Sequence, residues 1–97
     1  MTTELYRYTF GADLPIAEVE ATLLLALFGV ESLHGEAQTQ LDAAHYLDLD
    51  RRACVIDAGT VVGQCFNKLF VGYLRREFGA ESFRVERLPA EDLAIAG

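Results

Sequence analysis

The period of the hydrophobic pattern changes along this 97-residue chain in an order that leaves few folds open: two, then 3.6, two, two, 3.6 and two. Leu5-Tyr6-Arg7-Tyr8-Thr9-Phe10 alternates strictly, is aromatic and β-branched, and is closed by Gly11-Ala12-Asp13, so it reads as a first strand. A helix over 14–34 follows. Asp13 is its expected cap, Pro15 stands in its first turn, Glu18 and Glu20 lie near its positive end, and His34 and Gly35 mark its end.

Between Gln38 and Leu49 the residues Leu41, Ala43, His45, Leu47 and Leu49 alternate with polar neighbours, which predicts a long second strand. Asp50-Arg51 then forms a tight connection to a third strand, Ala53-Cys54-Val55-Ile56. With that turn, Leu47 opposes Cys54 and His45 opposes Ile56, so the apolar sets of both strands share one face. Gly59-Thr60 caps a second helix over Val61–Phe78, which Gly79 closes. Phe83–Leu88 alternates again as a fourth strand, and Pro89 begins a short tail.

Right-handed crossovers put the first and third strands of such a β-α-β-β-α-β chain at the sheet centre and the second and fourth at its edges. The expected fold class is therefore α+β, a ferredoxin-like plait with a four-stranded antiparallel sheet and two helices on one face. One domain over residues 1–88 and a tail over 89–97 account for the length, which suits a single core and is too short for two. Because 52% of the residues are apolar, four tyrosines and six phenylalanines among them, the core needs neither disulfide nor metal to form. The plait hosts many unrelated activities, so function has to be sought in particular residues.

Fifteen acidic residues against eight scattered basic ones give a net charge of -7, which disfavours a polyanionic partner and sets aside DNA or RNA. The longest apolar run, Leu23–Phe28, is far short of the ~20 residues that cross a bilayer. No charged-then-apolar leader opens the sequence, and a cytoplasmic setting with two reduced cysteines is expected. Cys54 and Cys65 belong to no Cys-x-x-Cys pair. His34 and His45 lie on different elements, so no metal or other cofactor is expected.

No catalytic set emerges either. Cys54 and Cys65 have no neighbouring cation to stabilise a thiolate, His45 points to the core side, and Asp57 stands before Ala58-Gly59-Thr60 without the glycines and lysine of a phosphate loop. An enzyme would have to draw on Asp57, His45 or Cys54. The open face of the sheet offers Arg7, Tyr46, Asp57 and Arg84 as a candidate ligand face for a small anionic molecule.

The most informative feature is a surplus. Ile16, Val19, Leu23, Ala26, Leu27 and Val30 make one stripe on the first helix, which presses on the sheet. Ala21, Leu24, Leu25 and Phe28 make a second on nearly the opposite side, and in the other long helix Val71, Leu74 and Phe78 form a row pointing away from the core. A two-layer plait leaves such residues wet. Ala21, Leu24, Leu25, Phe28 and Leu74 are thus the expected interface of a non-catalytic interaction module. Its partner is a second copy or a different protein, unless the tail folds over the helices.

Overall fold

The computed structural model describes residues 3–89. It is an α+β fold with a four-stranded antiparallel sheet and three helices. In chain order the elements are β1 (Leu5–Phe10), α1 (Ile16–His34), α2 (Glu36–Asp42), β2 (His45–Asp48), β3 (Ala53–Asp57), α3 (Val61–Phe78) and β4 (Phe83–Arg87). The sheet runs β2-β3-β1-β4, with β1 and β3 inside and β2 and β4 at the edges. Residues 90–97, the rest of the expected tail, lie outside the described residues.

The alternation in β1 decides which face meets the helices. Tyr8 and Phe10 are buried while Arg7 and Thr9 stay exposed. Cys54 and Ile56 join them from β3, and Val19, Leu23, Ala26 and Val30 of α1 with Val62, Phe66, Phe70 and Leu74 of α3 close the core from above. Aromatic contacts run through its centre: the Tyr8 and Phe70 ring centroids are 4.9 Å apart, and the Phe66 ring lies tilted 6.4 Å from Phe70. Tyr8 keeps its hydroxyl satisfied by donating to Asn67 Oδ1 at 2.6 Å, as a buried phenol must. Burial raises its ionisation above the ordinary tyrosine range.

The hairpin register is as expected, with His45 opposite Ile56 and Leu47 opposite Cys54. The turn is wider than Asp50-Arg51, because the ladder ends at Asp48–Ala53 and Leu49–Arg52 all lie in the connection. Arg52 takes a left-handed backbone conformation, φ 55°. Its guanidinium reaches back across the sheet to donate to the carbonyl oxygens of Gly11 and Leu14. That contact holds the loop between β1 and α1 and explains why a bulky residue occupies a conformation that favours glycine.

Several further expectations need correction. The stretch Gln38–Leu49 is not one strand: its first part is helix α2, and only His45–Asp48 is extended. Glu36, Ala37, Gln38, Gln40 and Leu41 are good helix formers, and only Thr39 is β-branched, so local preference overrides an alternation that was weak at its start. Buried Thr39 anchors the turn by donating to the Gly35 carbonyl, and Leu41 is left 76% exposed. The helices therefore number three among the described residues, not two.

Asp13 does not cap α1. Pro15 takes the cap position with no side-chain hydrogen bond, and the helix starts at Ile16. The fourth strand stops at Arg87, one residue short of the expected Leu88.

Finally, Leu74 points inward and is fully buried. The buried row Val62, Phe66, Phe70, Leu74 follows the i, i+4 ridge, which is inclined to the helix axis, and a helix lying obliquely on a twisted sheet buries such a ridge along its whole length. Val71 and Phe78 of the same expected outer row are half-buried against the core.

Candidate interaction surface

The second stripe of α1 is where the sequence places it, on the outside. Leu24, Leu25 and Phe28 are 47%, 56% and 59% exposed, with exposed Ala17 and Ala21 continuing the stripe toward the helix start. The cause is local. Gly35, at φ 88°, donates to the Glu31 carbonyl and ends the helix only after five full turns. Val19, Leu23, Ala26 and Val30 anchor the opposite side in the core. At 100° per residue, Leu24, Leu25 and Phe28 then have nowhere to go but outward.

Beside this stripe, the outer sides of α1 and α3 enclose a groove of about 440 Å3. Ala21, Thr22 and Leu25 form one wall and Tyr73 and Phe78 the other, with Glu18, Arg76 and Glu77 adding charge. Arg76 has no acidic partner within 4 Å among the described residues. The sequence reading missed this groove, since it depends on how far apart two helices sit. Also missed were the exposed Leu33, Leu41 and Val61, which lie at helix ends away from the stripe.

The open sheet face carries Arg7, Tyr46, Asp57 and Arg84, but on different rows of the sheet. Tyr46, Val55, Arg7 and Glu86 form one cross-strand row, so Val55 separates Tyr46 from Arg7. Arg7 is engaged: its Nη2 donates to Glu86 Oε1 at 2.8 Å and its Nε to the same oxygen at 3.2 Å. Arg84 is one row away, opposite Thr9 on the edge strand. Asp57 lies at the far end opposite Leu5, and its Oδ1 accepts from the Glu4 and Gly59 amides at 3.2 and 2.9 Å. A cavity of about 260 Å3 touching this face is lined by Leu5, Ala44, His45, Val55 and Asp57, so of the four residues only Asp57 reaches it.

Cys54 is buried at the sheet centre, where desolvation pushes its thiol up to about 12 and keeps it protonated at neutral pH. His45 does point to the core side, opposite buried Ile56, but at the edge of the sheet, where it stays exposed. Its ring lies edge-on to Phe66 with centroids 5.2 Å apart, and Nδ1 is 2.9 Å from the Ala43 carbonyl, which can only accept. Among the described residues no hydrogen bond joins Asp57 to either of them; its Oδ1 accepts the Glu4 and Gly59 amides. Among the described residues no group of three or more His, Cys, Asp or Glu could hold a metal ion, and no helix is long and apolar enough to cross a membrane.

No family model matches the chain, and no curated protein or solved structure is significantly similar to it.

Proposed function

We propose that this chain is a non-catalytic interaction module that associates through the outer side of its helix layer, centred on Leu24, Leu25 and Phe28, with itself or as a small subunit of a larger assembly. One observation carries the reading: three large apolar side chains, each about half exposed, stand in one continuous stripe of one helix. Covering the exposed half of each side chain gains about 1 kcal/mol, so about 3 kcal/mol per chain is available to association. Scattered apolar residues need no such explanation, whereas a contiguous stripe does.

The finer architectural reading, a ferredoxin-like plait with α2 as a short addition between α1 and β2, is supported by antiparallel pairing throughout and by β1 and β3 lying inside. Two free thiols suit a reducing compartment, in keeping with a cytoplasmic protein. The net charge of -7 argues against nucleic acid as the partner. A small-ligand or regulatory domain with its site on the open sheet face or at a dimer seam is the second reading. It has less support, since Arg7, Tyr46, Asp57 and Arg84 do not line a shared cavity there.

Light scattering coupled to size exclusion tests the first reading. The chain should elute above its monomer mass of 10.7 kDa, or do so once its partner is supplied, and Leu25→Glu should reverse this while leaving the circular dichroism spectrum intact. Association unchanged by Leu25→Glu would place the contact elsewhere.

A further inference from the structure

Resting on the reading of the helix layer as a docking surface, we propose that its occupant is the same surface of a second copy. The two α1 helices pack antiparallel about a two-fold axis near residues 22 and 23, so that Ala17 and Ala21 of each chain receive Phe28 and Leu24 of the other.

Three observations lead there. The first is size. With Leu25 set to one side, the exposed stripe residues fall at 17, 21, 24 and 28, a spacing of four, three and four that makes a seam along one side of a helix. The small ones, Ala17 and Ala21, occupy the first half and the large ones, Leu24 and Phe28, the second. A parallel pair would set Phe28 against Phe28 and Ala17 against Ala17, overfilled at one end and gapped at the other. An antiparallel pair sets each large side chain against a small one, as close packing requires.

The second is charge. Glu18, Glu20 and Glu31 flank the stripe, and none has a basic partner within 4 Å among the described residues. In a parallel pair each would stand level with its own copy. In the antiparallel pair, where facing positions sum to 45, Glu18 and Glu20 stand level with Leu27 and Leu25 of the second chain, and Glu31 lies past the start of the facing helix at Ile16.

The third is area. Leu24, Leu25 and Phe28 leave on the order of 100 Å2 each, well short of the ~800 Å2 per partner that a stable pair covers. A partner must therefore also cover the groove beside the stripe, whose Ala21 and Leu25 are common to both. A two-fold pair uses the same patch twice, so one self-complementary surface covers both stripes and both grooves together.

The arrangement fixes distances. With 1.5 Å of rise per residue and helix axes ~9 Å apart, residue 32 and its copy are ~30 Å apart, whereas a parallel pair puts them at ~9 Å. A spin label on Ser32→Cys, outside the seam, in the full chain carrying Cys65→Ala with Cys54 left in place, reads this separation by pulsed dipolar spectroscopy. A single distance near 30 Å supports the proposal. A short distance in a dimer overturns the antiparallel geometry but leaves self-association standing.

Two variants separate this from general stickiness. Ala21→Phe adds apolar surface yet fills the seat of the partner's Leu24, and should weaken pairing at least tenfold, while tighter pairing overturns the proposal. Leu41→Glu, on an exposed residue away from the stripe, should leave the dimer intact. A strict monomer at millimolar concentration overturns both the pairing and self-association, leaving only a foreign partner for the helix layer.

Discussion

Gly63 is the position where the structure leaves least room for change. A Cβ built there falls 2.2 Å from the backbone oxygen of Asp57, 3.0 Å from Thr60 Oγ1 and 3.3 Å from the backbone oxygen of Asp42. Three elements meet at this point. Thr60 caps α3 by accepting from the Gly63 amide at 2.9 Å, and its hydroxyl donates to the Asp42 carbonyl at 2.8 Å, tying the end of α2 to the start of α3. Asp57 ends β3, with its amide held by the Ala44 carbonyl at 3.0 Å. An alanine methyl must push the Asp57 carbonyl away by about 1 Å, and it cannot do so without disturbing either the sheet end or the cap.

Overpacking of this kind costs about 1–3 kcal/mol, and a weakened cap adds about 1, against which the better helix propensity of alanine returns about 1. Gly63→Ala should therefore lose about 1–3 kcal/mol, which in a chain of this size lowers Tm by roughly 5–20 °C. The measurement is urea unfolding followed by circular dichroism, at fixed protein concentration because pairing also stabilises. The midpoint should fall with its slope unchanged. Gly72 is the internal control: its added Cβ meets nothing within 4 Å, so Gly72→Ala should stabilise by roughly 0.5–1 kcal/mol. If the two glycines respond alike, the close approach of α3 to the end of β3 is wrong.

Arg52 and Cys54 give further tests. Arg52→Ala removes the guanidinium bonds to the Gly11 and Leu14 carbonyls and should cost about 2 kcal/mol in urea midpoint. Arg52→Gly loses the same bonds but relaxes the left-handed backbone, so it should be the milder of the two by about 1 kcal/mol; the reverse order would count against the loop description. For Cys54 the unfolded thiol ionises near 9 and the folded one at about 12. Between those values the unfolded chain holds fewer protons, so stability falls as pH rises, by at most ~1.4 kcal/mol per pH unit, and is unaffected by this group below pH 9. Tyr8 adds to the same alkaline slope from about pH 10 upward. Cys54→Ala should flatten the curve between pH 9 and 10, and an unchanged slope there would remove the thiol from the account. In the native protein at pH 8, iodoacetamide should modify Cys65 well before Cys54.

What could be read in the residues was whatever a local pattern enforces. Strict alternation from Leu5 to Phe10 placed Tyr8 and Phe10 inward and Arg7 and Thr9 outward, and the matched alternations around Asp50 set the pairing of Leu47 with Cys54. The outward stripe of α1 followed from helical angle alone, because residues at fixed angles on a rigid rod cannot all face one sheet.

What failed had two sources. Between Gln38 and Asp42 the period-two pattern rested on Leu41 alone, while the residue types favoured a helix, so periodicity without β-branched support was a poor guide. Leu74 failed for a different reason. Its direction depends on how α3 crosses the sheet, and an oblique crossing buries an inclined ridge that a flat helical wheel divides between two faces.

The sequence by itself determined the order of the strands and long helices, the faces of β1 and β3, and the exposure of Leu24, Leu25 and Phe28, since each is a matter of angle and spacing along one element. Only the tertiary structure decided that Leu74 belongs to the core, that Arg52 locks the loop before α1, that Gly63 must be small and that a groove lies between α1 and α3. These depend on distances between elements, and such distances are set by the packing of side chains far apart in the chain.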